Sequence, residues 1–179
     1  ITTSILSRST DGRTIALYLT DGDSAGYHMK ALLSRRSAEL GAPLYMCDGL
    51  AANTTGTYPV IQLHCLDHAR RQFFDLLKIY PQPCAYVIEQ LGLVYAEDKK
   101  AKENRLTAEQ RLEHHKKHSR PIMEALGLWL QNFKNTRFEQ NDDLMRAINY
   151  SLTRWSELNE FHHIPGVPLS NAECERAIK

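Results

Sequence analysis

The chain has 179 residues, 42% hydrophobic and 24% charged, which suits one folded domain, or one domain carrying a sizeable insertion, and argues against disorder. Its 22 Lys and Arg against 21 Asp and Glu leave a formal charge of +1, so a uniformly basic nucleic-acid coat is excluded and any DNA contact must come from local patches. No apolar run approaches the roughly 18 residues of a membrane span, and Ile1-Thr2-Thr3-Ser4 has no secretory signal pattern.

Two β-rich runs, Thr3 to Ser7 and Thr14 to Thr20, flank the turn dipeptide Asp11-Gly12 and predict a hairpin. Ser24 to Leu40 places Ala25, Met29, Leu32, Leu33 and Leu40 near helical spacing, with Asp23 or Ser24 as cap and Gly41 and Pro43 as stop. Leu44-Tyr45-Met46-Cys47 reads as a short buried strand ending at Asp48-Gly49, a strand expected to lie inside a sheet. Val60 to Cys65 reads as another strand, and a helix follows from Asp67 to about Ile79, closed by Pro81 and Pro83. From Cys84 the pattern is helical, with one apolar face (Tyr86, Ile88, Leu91, Val94, Tyr95) and then a charged stretch, Glu97 to Arg105. The capping box Thr107-Ala-Glu-Gln110 starts a helix running to about Phe133, with Pro121 as a break. Asp142 or Asp143 caps the next, in which Leu144, Ala147, Ile148, Ser151, Leu152 and Trp155 lie three or four apart. A last helix starts near Ser170, with Glu173 as a capping-box partner.

The pattern therefore divides the chain into an α/β part (1–80), a helical part (84–164) and a terminal helix (168–179). With no initiator Met and an end at Lys179 inside that helix, the chain reads as an internal piece of a longer protein. The four cysteines are too sparse for a disulfide scaffold and predict a reduced, cytoplasmic setting.

Asp48 ends a buried-type strand, and carboxylates at such ends face the crevice where open α/β sheets bind ligands. Taken alone, an Asp-Gly pair most often marks a turn. Glu175 lies on the last helix without the capping duty of Glu173. Most such carboxylates are simply solvated. Cys65 and His68 sit three apart at a strand-to-helix junction, but no second ligand pair completes a zinc site, and His114, His115 and His118 read as a solvated face. Arg70 and Arg71 open a helix and suit phosphate contacts. Carboxylates gathered from separate elements suit Mg²⁺ or Mn²⁺, and two such ions about 3.5–4 Å apart carry phosphodiester chemistry.

Three segments together resemble the catalytic domain of bacterial IS66-family insertion-sequence transposases: Met46-Cys47-Asp48-Gly49-Leu50-Ala51-Ala52-Asn53, Cys65-Leu-Asp-His68-Ala-Arg70-Arg71-Gln-Phe73, and Ser170-Asn171-Ala-Glu-Cys-Glu175-Arg176-Ala177-Ile178-Lys179. Leu106-Thr-Ala-Glu-Gln-Arg-Leu and Ala147-Ile-Asn-Tyr-Ser-Leu-Thr-Arg-Trp155 also resemble helix segments of that family. The resemblance implies an α/β, ribonuclease-H-like fold with an Asp-Asp-Glu triad and a mostly helical insertion between the second Asp and the Glu. By position Asp48 matches the second Asp and Glu175 the Glu, as catalytic residues and ligands of Mg²⁺ or Mn²⁺. It further implies DNA contacts from Arg70, Arg71, Arg176 and Lys179, support from Cys65, His68 and Asn171, and a homo-oligomer that synapses element ends in a bacterial cytoplasm.

The strand carrying the first Asp is absent, and Asp11, Asp21 and Asp23 do not replace it. It would lie between the hairpin and the strand ending in Asp48, so this piece alone is expected to be incomplete and inactive. Where the family shows an acidic residue before its Asn pair, this chain has Ser170-Asn171-Ala172. A non-catalytic alternative, a remnant that binds DNA or protein, therefore stands beside the enzyme. A zinc-binding helical adaptor is a third reading.

Overall fold

In a computed structural model, which describes residues 2–9, 12–37, 39–49, 53, 55–136 and 142–177, the opening residues form an antiparallel hairpin. Strand β1 (Thr2–Arg8) pairs with β2 (Thr14–Thr20), Thr3 opposite Leu19 and Ser7 opposite Ile15. Asp11 lies outside the described residues, while Gly12 takes φ 85°, a conformation open to Gly at little cost. Helix α1 (Ala25–Leu33) starts at Ser24, whose hydroxyl accepts the Tyr27 N–H. It ends well before the expected Leu40. The Ser34 hydroxyl donates back to the Ala31 carbonyl at 2.9 Å, and Arg36 donates to the Leu40 and Gly41 carbonyls at 2.9 and 2.7 Å. Side chains thus serve backbone groups that further helix would have paired.

Strand β3 (Leu44–Cys47) runs parallel to β4 (Ile61–His64), Leu44 opposite Ile61. The expected interior position of β3 is not found. Among the described residues β3 pairs with β4 alone, and β1–β2 and β3–β4 form two separate two-stranded sheets. The last helix, α8 (Ala172–Ala177), packs on β1. Arg8 donates to the Glu173 carboxylate at 2.5 Å, and the Ser4 hydroxyl meets the Cys174 thiol at 3.4 Å. Glu173 thus takes an ion pair, while Ser170 Oγ accepts the Ala172 N–H.

By contact the chain divides into residues 1–64 with 170–179, and residues 65–169. The second unit is helical: α2 (Leu66–Asp75), α3 (Pro81–Glu103), α4 (Ala108–His118), α5 (Arg120–Thr136), α6 (Asp143–Thr153) and α7 (Trp155–Asn159), followed by a 3₁₀ turn at Glu160–His162. Helix α3 packs on α2, α4 and α5, and α6 packs on α2 and α5. Phe73, Val87, Leu91, Val94, Met123, Leu126, Leu130, Leu144, Met145 and Ile148 form the core. Burying each such side chain contributes about 1.5–3 kcal/mol.

Local signals set several boundaries. Thr107 Oγ1 accepts the Gln110 N–H at 3.3 Å and Gln110 Oε1 accepts the Thr107 N–H at 3.0 Å, the full capping box. Asp142 caps α6 by accepting the Met145 N–H at 2.7 Å. Pro81 opens α3 as its first residue, where a missing N–H costs nothing. The charged stretch after Tyr95 stays helical to Glu103, held by pairs one turn apart: Lys100 with Glu97, Lys102 with Asp98 and Lys99 with Glu103. The break expected at Pro121 falls at Ser119, between α4 and α5, with Pro121 in the first turn of α5.

Of the histidines of α4, His118 is exposed as expected, but His114 is half-buried and His115 is not on a solvated face. His115 is wholly buried. Its Nε2–H donates to Asp98 at 3.3 Å and its Nδ1 lies 2.8 Å from the Ser119 hydroxyl. Asp98 also takes Arg111 at 2.6 Å and Lys102 at 2.7 Å. Burial pushes the Asp98 carboxyl up, but the bonds from His115 and Lys102 and the Arg111 and Lys102 charges outweigh it and hold it well below the usual range. His114 in turn meets Glu97 at 2.9 Å.

Candidate metal centre

Asp48 directly follows β3, at the carboxyl end of a parallel strand pair. Gly49 takes φ 81°, which turns the chain away from the strand and leaves the Asp48 side chain at that end. The Asn53 amide donates to Asp48 Oδ1 at 2.5 Å, and the Tyr45 hydroxyl donates to the Asn53 carbonyl at 2.9 Å. Asp48 is therefore braced by the loop that follows it. Burial, then the Cys47 and Asp48 charges, push the Tyr45 phenol up, so it stays a neutral donor at physiological pH. Asn53 had no role in the sequence reading. Its signal was present in hindsight as an amide five residues beyond a strand-end carboxylate.

Glu175 lies in α8, exposed, and its N–H bonds to the Asn171 carbonyl at 3.2 Å. Asp48 and Glu175 thus belong to the same unit, one at a strand end and one on the helix that packs on β1. Among the described residues, no group of three or more His, Cys, Asp or Glu comes together in a way that could hold a metal ion. Two oxygen donors from separate elements match the preference of Mg²⁺ and Mn²⁺ for carboxylates, and they are fewer than such a site needs.

The other expected residues are distributed as follows. Cys65 is buried and immediately precedes α2, and His68 is half-buried in its first turn. None of the four cysteines, all of them described, forms a disulfide. Arg70 is half-buried, its Nε enclosed without a hydrogen-bond partner, near the Tyr95 hydroxyl that donates to Asp67 at 2.5 Å. Arg71 is exposed and lies 3.9 Å from Asp75 on the same helix. Arg176 is exposed on α8, and Lys179 lies outside the described residues. Asn171 precedes α8 with its Oδ1 enclosed and unpartnered. No described helix is long and apolar enough to cross a membrane.

Comparison with known proteins bears on this arrangement. Two proteins of Sinorhizobium fredii (strain NBRC 101917 / NGR234) are similar to the chain. Uncharacterized protein y4hP is 26% identical over 92% of the chain, and uncharacterized protein y4jD is 31% identical over 68% of it. The chain spans only 32% of the first and 23% of the second. No solved structure matches the chain. The family model described as Transposase IS66 family matches residues 5–179. The chain belongs to the IS66 transposase family.

Proposed function

We propose that this chain is part of a metal-dependent DNA transposase catalytic domain with a ribonuclease-H-like fold, one that cleaves phosphodiesters at the ends of an insertion sequence and joins them to target DNA. The observation that carries the reading is the placement of Asp48 at the carboxyl end of β3 and Glu175 on α8 within one unit, in a chain of the transposase family.

The sheet topology supports the fold assignment. Among the described residues β1–β2 is an antiparallel pair and β3–β4 a parallel pair, in separate sheets, a strand content compatible with the mixed sheet of that fold. One further strand between β1 and β3 would pair with both edges and turn two small sheets into one. A two-stranded sheet is marginal alone, whereas five paired strands against helices are not. The relatives extend well beyond the aligned region, which leaves room for such a strand to carry the third carboxylate.

In this reading Asp48, held by the Asn53 amide, and Glu175 would hold Mg²⁺ or Mn²⁺ together with a third carboxylate from outside the described residues. The ions, when bound, polarise the scissile phosphate and raise the nucleophilicity of the attacking oxygen. Arg70, Arg71, Arg176 and Lys179 hold backbone phosphates, a sequence-independent contact that positions rather than specifies. Cys65 and His68 brace the strand-to-helix junction that leads into α2, and Asn171 supports the start of α8. The protein acts as a homo-oligomer, since two element ends must be held at once.

The test is strand cleavage and joining by the intact protein on DNA carrying the element ends. Asp48→Asn and Glu175→Gln are each expected to lower the rate by at least 1,000-fold, on the order of 4 kcal/mol of transition-state stabilisation, with the circular dichroism spectrum unchanged. Activity within tenfold of wild type in both variants contradicts the reading. DNA binding without cleavage by the unaltered protein favours the remnant.

A further inference from the structure

Strand β2 pairs with β1 on one side and, among the described residues, with no strand on the other. The further strand proposed between β1 and β3 would leave β2 at the outer edge of the enlarged sheet. Its seven pairings with β1 run in unbroken register, without a bulge, and Thr14-Ile-Ala-Leu-Tyr-Leu-Thr20 holds no charged residue and no Pro. Ile15 is 60% exposed and Tyr18 51%. Native sheets blunt a solvent-facing edge with Lys, with Pro, with a bulge or by keeping the strand very short, and β2 uses none of these. An edge of this kind persists in solution when another strand covers it.

The sequence of the edge selects the strand that fits it. Read outward from Leu17, the chain is nearly symmetric: Thr14 matches Thr20, Ile15 matches Leu19 and Gly12 matches Gly22. At the same offsets Ala16 meets the larger Tyr18, and Arg13 meets Asp21. Two copies set antiparallel about a two-fold axis at Leu17 therefore place aliphatic on aliphatic, small beside large, and Arg13 of each copy opposite Asp21 of the other. Ile15, Leu17 and Leu19 share one face of β2, opposite Ser7, Ile5 and Thr3 of β1, so the pairing joins them into one apolar strip across both copies. Arg13 is exposed, and the Asp21 side chain is 44% exposed. Asp21 Oδ1 already lies 3.0 Å from His28 Nε2 and accepts the Asp23 N–H at 2.9 Å, and a carboxylate has lone pairs for a further donor. The one like-charge match, Asp23 with Asp11, falls past the ends of both strands, and Asp11 lies outside the described residues.

We propose that β2 is a dimerisation edge: two copies of the protein pair β2 with β2 antiparallel about Leu17, forming one sheet continuous across the dimer with an Arg13–Asp21 ion pair at each end. A self-complementary patch is what a two-fold interface between identical subunits requires. A strand from elsewhere in the chain, or from another protein, has no need of an edge symmetric about its own centre. The inference rests on the reading that the protein works as a homo-oligomer, and it names the surface that oligomer uses.

The test is sedimentation velocity on the intact protein, without DNA or divalent metal. The unaltered protein is expected to be a dimer at micromolar concentration. Ile15→Lys, which gives the exposed edge the charge it lacks, should raise the dimer dissociation constant at least tenfold with the circular dichroism spectrum unchanged. Oxidative cross-linking, read above the background of the native cysteines, reports the register. Leu17→Cys should link to the same residue of the second copy, because directly opposed strand residues lie about 4.5–5.5 Å apart at Cα, within disulfide reach. Ile15→Cys, about 13 Å from its own counterpart in this register, should not. A dimer that Ile15→Lys leaves unmoved, or cross-linking by Leu17→Cys no greater than by Ile15→Cys, overturns the edge pairing and leaves the homo-oligomer standing. A monomer also overturns it, and β2 amides protected from exchange in that monomer would show that a segment of the same chain covers the edge. Neither metal nor DNA is present, so the result stands apart from cleavage by Asp48 and Glu175.

Discussion

At the scale of single residues, the largest forces lie where the sequence looked blandest. Asp98 sits in a charged run, yet it is 4% exposed and gathers Arg111, Lys102 and His115. Removing one member of a buried pair strands the others, so Asp98→Ala should cost about 3–5 kcal/mol in urea unfolding. A loss below about 1 kcal/mol would show that the cluster is solvated. His162 supplies a pH dependence. Its folded value, about 4, lies below the ordinary 6.5. Between those limits the unfolded chain binds more protons, so this contribution is complete above about pH 6.5 and is lost as pH falls through 4. Unfolding midpoints at pH 7 and pH 5 should differ, and His162→Phe should flatten that difference. An identical slope in the variant would contradict the assignment.

At the scale of elements, local chemistry was legible and tertiary burial was not. The Thr107–Gln110 box, the Asp142 cap and the β1–β2 hairpin were readable because each depends on residues within a few positions or on a short turn. The division of α4 from α5 was legible to within two residues from Pro121, whereas the end of α1 and the continuation of α3 depended on side chains meeting backbone or one another, which periodicity does not encode. The burial of His115 and His162 depends on the 3₁₀ turn and α4 coming together, far beyond any spacing rule. Asp48 and Glu175 could be singled out by position and family likeness, whereas the Asn53 brace needed the loop geometry. Gly127 in α5 is a further case. A Cβ there would lie 2.9 Å from three atoms of the Trp155 ring, so the glycine is what lets α7 close on α5. Gly127→Ala should cost about 1–3 kcal/mol through overpacking and should shift the Trp155 emission. A neutral or stabilising effect would show that the ring has room to move.

At the scale of the molecule, the two sheets of two strands leave apolar side chains exposed in the first unit. Ile15 and Tyr18 of β2 are 60% and 51% exposed, and Leu44 at the start of β3 is 41% exposed. Unpaired strand edges of this kind favour association with other chains. Extending the chain upstream by a segment proposed to carry an additional strand should raise its thermal midpoint, suppress aggregation and slow amide exchange in β1 and β3 together. Exchange that slows in neither strand would place the added segment elsewhere and remove the argument for a single five-stranded sheet.

The central claim is that Asp48 and Glu175 share a metal. The most direct measurement is an anomalous difference map from crystals of the intact protein soaked in Mn²⁺. The account predicts a peak with oxygens of both carboxylates at about 2.0–2.5 Å, lost in Asp48→Asn. Ordered carboxylates that bind no common ion in that map would contradict it.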